Sequence, residues 1–429
     1  IGAPYYDNGQ AFEGRAYVFH GRPAGLLTTA DWTAEINLAN SYFGSAVAGA
    51  GDVNGDGYSD VIIGATGYSN GQSSEGAAFV YHGSAAGLSA TPNWTLESNQ
   101  ANALFGNAVA GAGDVNGDGY SDVIIGASNA SNGESAEGAA FVYKGSATGL
   151  SVTSAWSGES NQANAQYGTS VAGAGDVNGD GYGDIIVGSR YYQNGQVNEG
   201  KVFVYYGAPA GPSVSISWSF ECNQAAATLG EAVASAGDVN GDGFSDVIVG
   251  ANNYTNGESL EGRAFVFQGS AAGLSATPNW TAESNQASAG FGSAVASAGD
   301  VNGDGYSDVI VGCPYYTNGE INEGMCFIYY GSASGLSATA GWTAESNQAG
   351  AIFGNSVSSA GDVNADGFSD VLVGCRMFSN AESGEGAAFM YKGNAGNGLR
   401  NNLRLYNTDL VTPIQKSNNN DPNLFGAGL

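Results

Sequence analysis

The apolar and polar positions from Phe43 onward follow a pattern with period 2 or with none, and never one of 3.6. "FGSAVAGAG" (43–51) sets small residues against Val47, "DVIIGA" (60–65) is a short apolar run, and "GAAFVYHG" (76–83) is a second one. "NWTLES" (93–98) is shorter and polar on one side. Turn-rich stretches of Gly, Asn, Ser and Asp separate them. This pattern predicts four strands and no helix. The whole set recurs: "DVNGDGYSD" begins at Asp52, and near-copies begin at Asp114, Asp176, Asp238, Asp300 and Asp362, always 62 residues apart. A fixed period of this size predicts a repeat architecture.

The first strand of each unit is built from Ala, Gly, Ser and Val. Bulk then rises through Ile62 and Ile63 to Phe79, Tyr81 and Trp94. Sheets that converge on an axis need small residues inside and large ones outside, so the units are expected to be the blades of a β-propeller. Residues 1–42 match the unit from Ile63 onward and lack its first strand and Asp-rich loop. Near the other end "LFGAGL" contains Phe425-Gly426, matching the "FG" that opens each first strand. The fold class expected is therefore all-β, a seven-bladed propeller whose seventh blade is split between the termini. It would occupy 1–408, six full repeats plus the partial repeat 1–42. Residues 409–429 form a tail that closes the blade or donates a strand to another molecule. About twenty residues of that repeat are missing, so the chain is expected to be a processed or truncated product. It has no signal peptide and does not begin with Met.

The Asp-rich loop opens like an EF-hand, but its position 12 is Ile63, inside a strand, so the helix-loop-helix switch is excluded. What remains is a row of oxygen donors suited to calcium: side chains of Asp52, Asn54, Asp56 and Asp60, and the carbonyl of Tyr58. The corresponding sets are Asp114, Asn116, Asp118, Tyr120 and Asp122; Asp176, Asn178, Asp180, Tyr182 and Asp184; and Asp238, Asn240, Asp242, Phe244 and Asp246. The last two are Asp300, Asn302, Asp304, Tyr306 and Asp308, then Asp362, Asn364, Asp366, Phe368 and Asp370. Three carboxylates within nine residues repel one another unless a cation neutralises them, so a plain turn would not select them. Position 6 is Gly in all six, while Ala365 shows that position 4 need not be. About six calcium ions are expected, one per complete repeat, each fastening the first strand to the second.

Charge supports this and narrows the partners. Forty acidic residues against eleven basic ones give a formal charge of −29, which opposes binding to nucleic acid or an anionic membrane. No apolar run approaches the ~20 residues needed to span a bilayer. Cys222, Cys313, Cys326 and Cys375 are too few for a disulfide framework, though a Cys313–Cys326 bridge across one hairpin is conceivable.

The combined "FG", Asp-rich loop and "GAP" (Gly2-Ala3-Pro4, altered to Gly312-Cys313-Pro314) resembles FG-GAP repeats. These form the seven-bladed propeller at the head of integrin α subunits and of many bacterial surface proteins. The resemblance covers about residues 1–400. It implies cation loops on one face and partner-binding loops on the other.

Further features repeat once per unit. Glu13, Glu75, Glu137, Glu199, Glu261, Glu323 and Glu385 each precede Gly, closing a hairpin, supporting it by a hydrogen bond, or serving as an outer cation ligand. Trp32, Trp94, Trp156, Trp218, Trp280 and Trp342 are expected to pack between blades. The hairpin tyrosines Tyr5, Tyr6, Tyr191, Tyr192, Tyr315 and Tyr316 are candidates for a partner surface. Sequons begin at Asn93, Asn129, Asn253 and Asn279. His20 and His82 share one repeat position, so no catalytic triad can be assembled and no enzyme is expected. The reading is a non-enzymatic, extracellular, calcium-stabilised structural or adhesion scaffold, self-assembling into filaments or matrix. The alternative is a lectin-like or integrin-like module for an extracellular protein or glycan.

Overall fold

Short apolar runs flanked by glycine and asparagine turns become strands throughout the chain. The computed structural model describes residues 1–27, 29–395 and 399–406, with 400–406 as backbone alone, and contains no helix among them. The "LFGAGL" segment and the rest of 409–429 lie outside the described residues. β1 (Gly2–Ala3), β2 (Arg15–Val18) and β3 (Trp32–Ala34) form a three-stranded sheet. β4 (Phe43–Gly51), β5 (Asp60–Ala65), β6 (Ala77–Tyr81) and β7 (Trp94–Glu97) form the next, four strands in sequence order. The same four-stranded antiparallel sheet recurs in the five repeats opening at Phe105, Tyr167, Leu229, Phe291 and Phe353, the last closed by Arg400–Tyr406. Seven sheets in this serial order are the blades of a seven-bladed β-propeller.

By contacts, the chain divides into two compact units, 1–18 with 32–233, and 19–31 with 234–429. In the first, Trp94, Phe105, Ile125 and Tyr143 share one apolar cluster, and Trp156, Tyr167, Phe203 and Tyr205 another. In the second, Cys326, Phe353, Cys375, Phe389 and Tyr391 form the core. There residues 19–31 also lie against the last repeat. Arg22 N donates to Val363 O at 2.7 Å, and Leu26 packs with Val363 and Met390.

Within each unit, neighbouring blades are joined by three recurring devices. The first is the tryptophan. Trp94 Nε1 donates to Ser151 O at 3.1 Å, and the ring meets Tyr143 edge-on at 5.3 Å, both in the following repeat. Trp32, Trp156 and Trp280 do the same with Ser89, Ser213 and Ser337. Replacing Trp94 by Ala should cost about 3–5 kcal/mol, read as a lower denaturation midpoint with unchanged slope. The second is a parallel bridge between the Glu-Gly turn of one blade and the Phe-Gly of the next, as in Gly76 with Phe105. The third is glycine on glycine. A Cβ on Gly64 would stand 2.0 Å from Gly106 O, and one on Gly126 would stand 2.1 Å from Gly168 O. The Gly of "GA" and the Gly of "FG" thus meet across the blade boundary, which is why both are Gly.

The register removes the disulfide considered above. Cys313 lies opposite Met325 and Cys326 opposite Gly312, so the two thiols point to opposite faces of the hairpin. All four cysteines are free, and Cys313 Sγ donates to Ala289 O.

Candidate metal centre

The Asp-rich loop joins β4 to β5 and wraps around its first residue. Asp52 Oδ1 accepts from the N–H groups of Gly55 (2.7 Å) and Asp56 (3.1 Å), and Oδ2 accepts from Gly57 (2.8 Å). Asn54 Oδ1 accepts from Asp56 N, and Asp56 Oδ1 from Tyr58 N. The wrap requires left-handed backbone at positions 4 and 6, where Gly55 and Gly57 have φ of 72° and 89°. The other loops repeat these bonds almost bond for bond, for example around Asp114, Asp176, Asp238 and Asp300.

Successive loops also touch. Asp52 O accepts from Ser121 N at 2.9 Å, Asp238 O from Ser307 N and Asp300 O from Ser369 N. The ring at position 7 of one loop covers position 4 of the loop before it, so that a Cβ on Gly55 would meet Tyr120 at 2.6 Å and one on Gly303 would meet Phe368 at 2.4 Å. Ala365, with φ of 57°, occupies position 4 of the sixth loop and takes the same left-handed backbone as the glycines of the other loops. At Gly55, Gly117, Gly241 and Gly303 a Cβ would also meet the position-7 ring of the following loop, which disfavours any other residue there.

Asp60, assigned to position 9 as a ligand, takes a second role that spacing did not reveal. It is buried at the start of β5, where Oδ2 accepts from Val53 N (2.9 Å) and Oδ1 from Gly83 N (2.7 Å). It therefore pins the loop to the end of β6. Asp122, Asp184, Asp246, Asp308 and Asp370 make the same two bonds. Burial pushes the carboxyls of Asp122 and Asp246 up to about 6 and those of Asp184 and Asp308 up to about 7. The paired N–H bonds oppose this shift, and the other loop carboxylates add to it. For Asp52, desolvation is outweighed by the N–H groups of Gly57, Gly55 and Asp56, and its carboxyl is held below the usual range.

The donor set fits a hard cation in kind. Positions 1, 3, 5, 7 and 9 offer oxygen only, and among the described residues none of the loop aspartates is in an ion pair. Such an ion would be held by Asp52, Asn54, Asp56, the Tyr58 carbonyl and Asp60, supplying the positive charge these carboxylates lack. Backbone hydrogen bonds now hold the acids apart, and no three acidic, histidine or cysteine groups converge as a metal cluster among the described residues.

The six hairpin tyrosines divide into two kinds. Tyr5 and Tyr315 are 62% and 44% exposed, and Tyr191 is half-buried beneath the Arg190 guanidinium. Tyr6, Tyr192 and Tyr316 instead pack edge-on against Tyr17, Phe203 and Phe327 of the third strands. Three of the six therefore belong to the blade rather than to an open surface. His82 Nδ1 lies 3.3 Å from Asn54 Nδ2, beside the first loop.

The family model described as FG-GAP repeat matches residues 43–81, 105–143, 167–205, 229–267 and 291–323. Each of these segments begins at a first strand and contains the loop just described. The chain is an integrin-like FG-GAP β-propeller. It is 34% identical to integrin alpha-V of Gallus gallus over 214 residues, 48% of this chain and 20% of that one. With integrin alpha-IIb of Mus musculus it shares 35% identity over 158 residues, 35% of this propeller chain and 15% of the relative. A phosphatidylinositol-glycan-specific phospholipase D of Bos taurus matches at 32% over 169 residues, 37% and 20% of the two chains. The propeller thus spans a fifth or less of these relatives, and the activity in the last name is that protein's. No helix among the described residues is long and apolar enough to cross a membrane.

Proposed function

We propose that this propeller is a non-enzymatic, extracellular scaffold that binds about six calcium ions and acts in adhesion or assembly. The observation that carries this reading is the bond-for-bond repetition of the loop: no copy has diverged to become a single specific site. Copies joined through Asp carbonyls and position-7 rings suit a stiffening role, in which each ion ties first strand to second and loop to loop. Millimolar extracellular calcium would keep such sites filled. The candidate partner is a second copy of the chain. The β1–β3 sheet has three strands among the described residues where the others have four, and a fourth could be added by strand donation from residues 409–429 of another molecule.

The alternative, a module for an extracellular protein or glycan, draws on the exposed Tyr5 and Tyr315 and on the likeness to integrin α subunits. Electron microscopy in millimolar calcium separates the two. Fibres lost on deletion of 409–429 are expected for the scaffold. Discrete particles at all concentrations would remove self-assembly and direct ligand screening to the tyrosine-bearing hairpins.

A further inference from the structure

The end of each blade away from the Asp-rich loops holds a second set of acids. The glutamate before the hairpin glycine is buried at 0% exposure in Glu75 and Glu323 and at 1% in Glu137. One carboxylate oxygen of Glu75 accepts from Asn70 N at 2.6 Å, while Oε2 is buried with no hydrogen-bond partner. The side chain of the same Asn70 donates to Glu97 on β7, so one asparagine links both carboxylates. Asn132 links Glu137 to Glu159, and Asn318 links Glu323 to Glu345, with Oε2 of Glu137 and Glu323 again unpartnered. A buried carboxylate oxygen without a hydrogen-bond donor is unfavourable unless positive charge lies close by.

Three other blades supply that charge from a side chain. The third strand begins with a residue at one repeat position facing the fourth-strand glutamate. In three blades this residue is basic, and it pairs with that glutamate: Arg15 with Glu35, Lys201 with Glu221 (3.8 Å) and Arg263 with Glu283 (3.8 Å). At the same position stand Ala77, Ala139 and Met325, directly opposite Glu97, Glu159 and Glu345, and no basic side chain pairs with these acids among the described residues. The unpartnered buried oxygen is common to both groups of blades, so the fourth-strand carboxylate and its missing counter-charge make the difference.

We propose that the hairpins of Glu75/Glu97, Glu137/Glu159 and Glu323/Glu345 each hold a divalent hard cation, calcium first, where the other blades place an Arg or Lys side chain. The ligands are the buried Oε2, the fourth-strand carboxylate and neighbouring oxygens, a set that suits an oxygen-seeking ion of flexible coordination. This site lies at the opposite end of the second strand, about 20 Å from the Asp-rich loop of the same blade, and does not depend on that loop binding an ion.

The test is crystallography of the full chain grown in millimolar calcium, with long-wavelength anomalous data, on wild type and on Ala139→Arg and Glu159→Gln. Expected are anomalous peaks at the three hairpins and none beside Arg15, Lys201 or Arg263. Either substitution should abolish the Glu137 peak while the other two remain, and calcium bound at equilibrium should fall by one per chain. Peaks in the Asp-rich loops without peaks at the hairpins would overturn this proposal alone. Peaks at the hairpins without loop peaks would overturn only the loop reading. Equal peaks in the Arg- and Lys-bearing blades would also overturn it, since the basic residue would then not stand in for the ion.

Discussion

Melting the propeller in excess chelator rather than in millimolar calcium is expected to lower the transition by on the order of 10–20 °C. A ligand that binds only the folded state adds about 2.7 kcal/mol per site at a hundred times its dissociation constant, so six such sites add about 16 kcal/mol. A melting entropy of about 2.1 cal/mol/K per residue converts that into a shift of this size for a chain of 429 residues melting as one unit. The effect should exceed the sum of isolated loops, because loosening one loop also releases bonds to the next, such as Ser121 N to Asp52 O. Asp52→Ala should remove one site's share, roughly 3 °C in calcium, and nothing in chelator beyond its own backbone hydrogen bonds. Superimposable curves with and without calcium would end the structural-ion reading. A collapse of secondary structure in chelator at 25 °C would show instead that the ions are required for folding.

Much of this propeller was legible because repetition averages out local ambiguity. Six copies of "DVIIGA"-like runs at one spacing identify a strand that a single copy would leave open to a helical reading. Trp32, Trp94, Trp156, Trp280 and Trp342 are the pegs between blades that the repeat predicts, since a large apolar residue once per blade has few other uses. What escaped the sequence was side-chain direction. Asp60 looked like a ninth-position ligand and nothing more, yet its burial at the head of β5 aims both oxygens at the N–H groups of Val53 and Gly83. Glu75 before glycine was open to three readings, as a hairpin-closing residue, a hydrogen-bonding support or an outer cation ligand, and the structure shows it wholly buried and accepting from Asn70 N. Tyr315 and Tyr316 are neighbours in a loop, but one is exposed and the other packs on Phe327. In each case the deciding contact is made by a residue several positions away, in a loop for Asp60 and Glu75 and on the third strand for Tyr316, and residue spacing does not say which way a side chain turns.

Gly126→Ala is expected to destabilise the fold by at least about 3 kcal/mol, the upper range for overpacking a filled core. The added methyl would lie 2.1 Å from Gly168 O, and the obstacle is backbone rather than a rotatable side chain. Gly168 cannot retreat easily. Its φ of 77° is set by the turn that follows Gln166, and a Cβ placed on it would in turn lie 2.3 Å from Ala139 O. The two blades would have to separate along the line where Gly138 bridges Tyr167, exposing the ring that packs on Phe203. Gly49→Ala is the matched control. Gly49 also sits in a strand beside a blade boundary, but a Cβ there meets nothing within 4 Å, so this change should be neutral or slightly stabilising through the unfolded chain. Chemical denaturation of both variants in calcium measures the difference. Equal midpoints would mean that the blades slide past one another at little cost, and that the glycine pair is not what sets their spacing.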